Sequence, residues 1–314
     1  MENVFSILFF LLASYSVIAN DSIQTLGTWM SSNKKTQWYV LAIFASLGLI
    51  IAITYSWFTY DGDISYQRLT KIPYQQVKWY HGIAPIVLII LTRFSIPVST
   101  SFLILATFIS MDVFKEMLVK TMIGYGVSAI SAYIFWIAIS KFLDEKKSIR
   151  DKNKTMWRRL QWFSTGFLWW SWLTHDVANI SVFLPRQISG TLLIVILVFF
   201  TAIMFLIFKE GGGSIQKIVL NKTNTKYVRS ATIIDFVYGV ILIYFKEMNS
   251  IPMSTTWVFI GLLSGRELAI TTLSKHRKVK KLFPIIAKDF GKLVIGMTVS
   301  VVIAMLVNYI AAMK

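Results

Sequence analysis

Apolar segments alternate with short polar and basic segments along the whole chain, and several of the apolar segments are long enough to cross a membrane. Four of them hold between 19 and 23 residues, namely Tyr39–Phe58, Thr121–Ile139, Ile188–Phe208 and Phe290–Ala312. A helix of about 20 apolar residues spans the roughly 30 Å hydrocarbon core of a bilayer. The pattern therefore predicts an all-α, polytopic membrane protein.

Two further apolar segments run into polar stretches. Val4–Ile18 is followed by Ala19-Asn20-Asp21-Ser22, and Leu160–Leu173 is followed by Thr174-His175-Asp176-Val177-Ala178-Asn179. An aspartate at mid-bilayer costs about 3 kcal/mol, so such residues usually face a cavity and carry a function. We predict that both helices span the membrane and break at these stretches. A signal peptide is the alternative for Val4–Ile18, but its first residues hold Glu2 and no cation, which disfavours it.

Other apolar segments are too short to span and come in pairs. Gly82–Leu91 and Val98–Ser110 flank a polar turn that contains Pro97, and a second pair, Ala231–Tyr244 and Pro252–Leu263, repeats this order. Non-helical backbone at membrane depth is tolerated only where protein or water surrounds it. We therefore predict two re-entrant helical hairpins. The alternative for the first pair is one long helix kinked at its proline.

The motifs repeat at one offset. Asp21 and Asp176 are 155 positions apart, and so are Pro97-Val98-Ser99-Thr100 and Pro252-Met253-Ser254-Thr255. Two motif pairs with the same offset indicate an internal duplication. We therefore divide the chain into a first repeat (1–141), a basic linker (142–159) and a second repeat (160–314), each repeat with about three spans plus one hairpin.

Charge sets the predicted orientation. Lys and Arg total 32 against 15 acids, and the net charge is +17. Most of these cations lie in short loops, where they keep loops cytoplasmic, so nucleic-acid binding is disfavoured. An odd number of crossings per repeat makes the repeats inverted. With the basic linker 142–159 in the cytoplasm, this arrangement places both termini on the outer side of the cell membrane. Arg68, Lys71 and Lys78 fit poorly, because their connector then lies outside.

The sequence lacks the residues that several other kinds of protein need, namely disulfide-bonded proteins, thiolate metal proteins and enzymes. The chain has no cysteine, and His81, His175 and His276 are far apart in sequence. This excludes a disulfide framework and a thiolate metal site. The sequence contains no obvious serine–lysine or His-Glu-x-x-His arrangement, so an enzyme is disfavoured. Inverted repeats with broken helices and polar residues at membrane depth are typical of secondary transporters. A channel is the alternative, since the same polar stretches could line a pore.

The polar motifs suggest two kinds of ligand. Carboxylate and amide oxygens suit a hard cation such as Na⁺, or a proton. Hydroxyls that follow a proline at the start of a half-helix suit an anion. The alternative is that these hydroxyls only satisfy backbone carbonyls. His175 could take over proton coupling. Arg93, near the first hairpin turn, either attracts an anion or extends to the membrane interface.

The same residues carry a family resemblance. Asp176-Val177-Ala178-Asn179, and more loosely Ala19-Asn20-Asp21, resemble the Gly-Ala-Asn-Asp-Val-Ala-Asn signature of the inorganic phosphate transporter family. Pro97-Val98-Ser99-Thr100-Ser101 and Pro252-Met253-Ser254-Thr255-Thr256 resemble its Pro-Val-Ser-Thr-Thr motif. The resemblance implies cation-coupled phosphate import by alternating access and an inverted-repeat fold with two hairpins. Because the family often forms dimers, it also implies a homodimer.

Carried over residue by residue, the resemblance assigns binding roles. The residues assigned to substrate are Ser99, Thr100, Ser101, Ser254, Thr255, Thr256, Gln24 and Asn179, with Arg93 added from its position. Those assigned to the coupling cation, Na⁺ or H⁺, are Asn20, Asp21, Asp176 and Asn179. No other cofactor is implied, and the partners are phosphate and the lipid bilayer. The sequence departs from the signature, with His175 in place of an Asn and Gln24 in place of another. Sulfate or another tetrahedral oxyanion is therefore the alternative substrate.

Overall fold

A computed structural model describes residues 4–93, 99–140, 154–212, 216, 228–248, 252–273 and 282–313. In these ranges the regular structure is helical throughout. The helices are α1 Val4–Ser16, α2 Ser22–Ser32, α3 Trp38–Thr59, α4 Ile83–Arg93, α5 Met111–Ser140, α6 Lys154–Ile180, α7 Gly190–Lys209, α8 Val228–Met248, α9 Thr255–Leu273 and α10 Phe283–Ala312. Short π-helices lie at Val17–Asp21 and Ser101–Leu105, and 3₁₀ turns at Trp79–Gly82 and Ser181–Phe183.

Five of the described helices are long and apolar enough to cross a membrane. They are α1 with its π-helix, α3, α5, α7 and α10. The remaining predicted span, helix α6, has 27 residues and is therefore about 40 Å long. It is more polar than these five helices. Trp169 and Trp172 of α6 are buried in the bundle. These findings confirm the all-α membrane fold.

Two corresponding helices of the repeats run in opposite directions. Helix α3, shifted by the 155-residue offset, falls on α7. At one end of this pair the Trp57 indole donates to the Ile188 carbonyl at 2.9 Å. At the other end Trp38 lies 6.2 Å from Phe205, ring centre to ring centre. The start of α3 thus meets the end of α7. An inverted repeat requires this arrangement, although inversion of the complete halves stays a prediction.

The chain turns back at both predicted hairpins. In the second, the Tyr238 hydroxyl of α8 donates to the Thr255 carbonyl of α9 at 3.0 Å. In one continuous helix these residues would be about 25 Å apart. In the first, the rings of His81 and Phe108 stack 4.5 Å apart across the ends of the two arms. Pro97, at the turn of the first hairpin, lies outside the described residues.

The connector between α3 and α4 folds against both halves. Gly62, with a φ of 93°, accepts from the Ile188 N–H at 3.0 Å. Arg186 donates to the Ile72 carbonyl at 2.7 Å, and Gln75 donates to the Phe108 carbonyl at 3.0 Å. The connector is thus an ordered cap over one end of the bundle.

A second polar cluster closes the opposite end, near the start of α3. Arg158, in the first turns of α6, donates to the Ser32 carbonyl at 2.9 Å and to Asn33 Oδ1 at 2.7 Å. Gln161 donates to Ser32 Oγ at 2.5 Å and accepts from Asn33 at 3.1 Å. Helix α3 connects the two ends of the bundle and has 22 residues. The polar cluster and the connector are therefore about 33 Å apart along the bundle.

The predicted breaks at the aspartate motifs are wrong. Helix α6 runs without interruption through His175–Asn179 to Ile180. Near the first motif the helix is only rewound into the five-residue π-helix Val17–Asp21. The hydroxyls of Thr174 and Ser181 donate to carbonyls three and four residues earlier, at 2.8 and 2.7 Å, so they are satisfied within this intact stretch of chain. Freed backbone carbonyls at 174–179 are therefore not available as cation ligands.

Several predicted boundaries also change. The arms of the second hairpin extend to Val228–Met248 and Thr255–Leu273, and the span after the first hairpin begins at Met111. Arg266, which the sequence places in a basic loop, is instead a fully buried residue of α9. It pairs with Glu267 at 3.1 Å and lies 4.8 Å from the Trp136 ring. Most of the linker, 142–153, lies outside the described residues.

Candidate functional site

The duplicated motifs meet inside the bundle, where the hairpin turns reach the two aspartates. Asp21 is buried at the end of the first π-helix. Its Oδ2 accepts from the Thr100 hydroxyl of the first hairpin, and its Oδ1 accepts from Asn20 Nδ2 at 2.8 Å. Both carboxylate oxygens of the first half therefore have a donor within the protein.

The second aspartate is more open. Asp176 and Asn179 lie one turn apart on α6, so their side chains share a face. Asn179 Nδ2 donates to Ser101 Oγ at 2.6 Å and only weakly, at 3.5 Å, to Asp176 Oδ1. Thr255 interacts with the Asp176 carboxylate. Within the described residues, Asp176 Oδ2 and Asn179 Oδ1 are buried and have no hydrogen-bond partner of normal geometry.

The two carboxylates are close enough for their charges to act on each other. Both side chains are about 1% exposed. Two buried like charges disfavour each other's ionised form unless a cation or a proton compensates them. Together with the open oxygens of Asp176 and Asn179, this arrangement can hold a cation on an all-oxygen set of ligands.

Both hairpin turns begin their second arm in the same way. Ser99 Oγ accepts from the Phe102 N–H at 3.3 Å, and Ser254 Oγ accepts from the Trp257 N–H at 3.4 Å. These bonds are related by the 155-residue offset, and in the second half the serine precedes the first turn of α9. Ser101 also donates to the Met253 carbonyl at 3.0 Å, which joins the two turns.

The structure brings together most, but not all, of the predicted site residues. Thr100, Ser101 and Thr255 interact with Asp21, Asn179 and Asp176, respectively. Ser99, Ser254 and Thr256, their neighbours in sequence, are buried as well. The Gln24 side chain lies outside the described part of the structure. Arg93 ends α4 with an exposed side chain, so it is not brought to the aspartates. His175 faces α8, where its Nε2 lies 2.9 Å from the Leu242 carbonyl.

One buried acid was missed from the sequence. Asp235 of α8 is 0% exposed and accepts from Thr28 of α2 at 2.7 Å and from Thr165 of α6 at 2.5 Å. It thereby joins three helices. The sequence does hold a signal for Asp235, since it is a carboxylate inside the apolar hairpin arm Ala231–Tyr244.

Two buried cations were also missed. Arg68 of the connector is 3% exposed and Lys120 of α5 is 5% exposed. Burial lowers the pKa of Arg68 to about 10, against the opposing charges of Asp176 and Glu247, so its guanidinium stays protonated at neutral pH. The sequence held one indication that Arg68 is buried: it lies in a connector predicted to be outside, where the loop charges favour few cations.

Comparison with known proteins adds evidence at the level of structure. No family model matches the sequence, and a search of curated proteins finds no match. Among solved structures, one described as "The sodium-dependent phosphate transporter" is similar with a TM-score of 0.65 and 14% sequence identity, and the match covers 98% of this chain and 99% of that chain. This likeness agrees with the predicted all-α membrane fold. From end to end, this chain is built on the fold of that transporter.

Proposed function

We propose that this protein is a secondary active transporter that imports inorganic phosphate together with Na⁺. The observation that carries the proposal is the buried meeting of Asp21 and Asp176 with the hydroxyls of both hairpin turns. This meeting places candidate ligands for a cation and for an oxyanion at one point between the halves. Such a point is where transporters of this architecture bind their substrates.

The cation site consists of oxygen atoms. The Asp21 and Asp176 carboxylates, with the amide oxygens of Asn20 and Asn179, supply the hard ligands that Na⁺ prefers. Asp176 Oδ2 and Asn179 Oδ1 are the open members of this set among the described residues. We favour Na⁺ over H⁺ because a proton would occupy one carboxylate and leave the amide oxygen of Asn179 without a partner. The structurally similar transporter is sodium-dependent, which supports the same choice.

The oxyanion site lies at the second hairpin turn. Ser254, Thr255 and Thr256 are buried at the start of α9, a helix of 19 residues. The first N–H groups of a helix and its dipole attract anions. Bound Na⁺ beside Asp176 would offset the repulsion between that carboxylate and phosphate. Cation and anion would therefore bind more tightly together than singly, which is the basis of coupling.

The two closed ends of the bundle fit alternating access. The site is buried, and hydrogen bonds between the halves close the protein at the connector and at Arg158. A transporter exposes its site by releasing one such closure at a time. The remaining predictions, a homodimer and both termini outside, belong to this proposal and await their own tests.

Uptake by purified protein in proteoliposomes tests the function. We expect labelled phosphate to accumulate above the external concentration when an inward Na⁺ gradient is applied. Accumulation should stop when K⁺ replaces Na⁺. A tenfold excess of sulfate is the competitor, and complete loss of phosphate uptake with sulfate accumulation would reassign the substrate. Uptake that only equilibrates, with or without Na⁺, would indicate a channel. Accumulation driven by a pH gradient alone would replace Na⁺ by H⁺.

A further inference from the structure

Tyr238 of α8 is a buried polar side chain at the second hairpin, and the proposed site does not include it. It is 1% exposed, and its hydroxyl donates to the Thr255 carbonyl at 3.0 Å. Its ring lies 5.7 Å from that of Phe259, ring centre to ring centre. Thr255 and Phe259 are about one turn apart on α9. Tyr238 therefore contacts the first turn of α9 through both its hydroxyl and its ring.

The same hydroxyl also reaches α2, in the first half of the chain. The Tyr238 oxygen accepts from the Thr25 hydroxyl. One turn away, Thr28 donates to Asp235 at 2.7 Å, so the two helices run antiparallel and these two pairs lie one turn apart. A hydroxyl carries a single proton. Because Tyr238 donates its proton to α9, the bond to Thr25 must use the Thr25 proton.

The resulting chain of hydrogen bonds runs from Thr25 through Tyr238 to Thr255, and its two ends lie beside the two aspartates. Thr25 is four residues after Asp21, and its hydroxyl lies 3.3 Å from the Asp21 carbonyl. Thr255 interacts with the Asp176 carboxylate. The chain therefore connects the helix that follows one aspartate to the hairpin turn that contacts the other.

The internal duplication does not repeat this chain. The positions that correspond to Thr25 and Tyr238 in the other half hold Ile180 and Ile83, whose side chains have no donor or acceptor. The bridge through Tyr238 is thus specific to α2 and the second hairpin.

Loss of the phenol hydroxyl leaves its partners with alternatives. Thr25 can donate to the Asp21 carbonyl instead, and the Thr255 carbonyl still accepts within helix α9. The bond therefore adds little to the stability of the fold. Its main effect is geometric, because it fixes where the first turn of α9 lies relative to α2.

We propose that Tyr238 is a positioning residue that holds Thr255 in place for binding of the oxyanion. The inference rests on the proposed function, because Thr255 belongs to the proposed oxyanion site. Groups that bind a ligand must be held within about 0.5 Å of their productive geometry, by neighbours that are themselves fixed. Tyr238 acts through Thr255 and does not touch the ligand.

Tyr238→Phe is the direct test, because it removes the hydroxyl and keeps the ring on Phe259. The phosphate KM in proteoliposomes should rise about three- to tenfold, as expected for one neutral hydrogen bond. The maximum rate at saturating phosphate and Na⁺ should stay unchanged, because only binding is weakened. Tyr244→Phe is the matched control, since Tyr244 lies on the same helix and is 58% exposed. It should keep the wild-type KM.

The other end of the chain gives an independent test. Thr25→Val removes the donor to Tyr238 and should raise the phosphate KM in the same direction by a smaller factor. Thr28→Val, one turn along α2, removes a bond to Asp235. It should lower the unfolding temperature and leave the KM unchanged. If Tyr238→Phe does not yield folded protein, an unchanged KM in Thr25→Val overturns the inference.

A double variant distinguishes positioning from a general loss of order. If Tyr238 acts through the Thr255 side chain, its hydroxyl has little left to position in Thr255→Ala. Adding Tyr238→Phe to that variant should therefore change the phosphate KM less than about twofold, since residues that act as a unit are not additive. KM factors that multiply fully would show that Tyr238 acts elsewhere, and would overturn the inference.

The outcomes also separate the inference from the proposed function. A wild-type KM in Tyr238→Phe, with normal uptake, would overturn the inference and leave the function intact. If the wild type shows no uptake, the transport function fails, and the rise in unfolding temperature with added phosphate becomes the readout. A smaller rise in Tyr238→Phe than in the wild type would then support the inference, and an equal rise, or none in either protein, would refute it.

Discussion

The two halves of the chain carry the same motifs at the same offset, yet their aspartates are in different environments. In the first half, both oxygens of Asp21 accept hydrogen bonds, from Thr100 and Asn20. In the second half, Asp176 Oδ2 has no hydrogen-bond partner of normal geometry among the described residues. The helices differ too, since the first is rewound at its aspartate and α6 is not.

The difference shows that two residues at equivalent positions of a duplicated sequence can have different interactions. A carboxylate whose oxygens are all bonded within the protein mainly holds the first hairpin in place. A carboxylate with an open oxygen can exchange a ligand. We therefore expect Asp176 to be the residue that gains and releases the coupling cation, and Asp21 to supply fixed negative charge beside it.

Asp176→Asn is the change with the largest expected effect. The substitution removes the charge that holds Na⁺, so concentrative uptake of phosphate should be abolished, whereas phosphate exchange between equal solutions should persist. Asp21→Asn should keep a reduced, Na⁺-dependent accumulation. Uptake and exchange in proteoliposomes measure both. Equal loss in the two variants would show that the halves are functionally equivalent.

The paired threonines sharpen the comparison at the hairpins. Thr255→Ala removes a hydroxyl beside the proposed oxyanion site and should raise the KM for phosphate about tenfold, since a hydrogen bond to a charged ligand contributes about 1.5–3 kcal/mol. Thr100→Ala should raise the Na⁺ concentration needed for half-maximal uptake more than it raises the phosphate KM, because Thr100 bonds to Asp21. The Ser variants are the controls. An identical change in both constants for the two Ala variants would contradict this assignment.

Asp235 has no counterpart in the first half, where Tyr80 stands at the corresponding position. Asp235→Leu should lower the free energy of unfolding by about 1–3 kcal/mol, because the hydroxyls of Thr28 and Thr165 lose their buried acceptor. Thermal unfolding in detergent measures this change. Uptake by the folded fraction should keep its wild-type dependence on Na⁺. A changed Na⁺ dependence with unchanged stability would instead make Asp235 a cation ligand.

The smallest effect is expected for Arg93, which is exposed, whereas both aspartates are buried. Arg93→Gln should change the phosphate KM less than about twofold, since exposed substitutions away from special features stay within about 0.5 kcal/mol. Arg68→Gln, measured in the same assay, is the matched buried cation. A larger effect at Arg93 than at Arg68 would return the anion-attracting role to the first hairpin.

Much of the architecture follows from hydrophobic periodicity, because segment length and interruptions are local properties. The spans and the two chain reversals were predicted from the length and order of the apolar segments, whereas the contact between Asp21 and Thr100 was not predicted. The helix breaks were wrong because an aspartate and an asparagine three positions apart share a face of an intact helix. Arg266 was misplaced because its partner ring, Trp136, lies far away in sequence. Such long-range contacts leave no local pattern.

The closures at the two ends of the bundle have a consequence for the free energy of opening. Each consists largely of hydrogen bonds, such as those from Arg186 to Ile72 and from Arg158 to Asn33. When such a bond opens to water, its donor and acceptor find new partners, so the net loss is about 1.5–3 kcal/mol for a charged donor, well below the strength of the bond in an apolar medium. A closure made of tightly packed apolar side chains would instead expose hydrocarbon each time it opened. A hydrogen-bonded closure therefore opens at a smaller cost in free energy than an apolar closure of the same size.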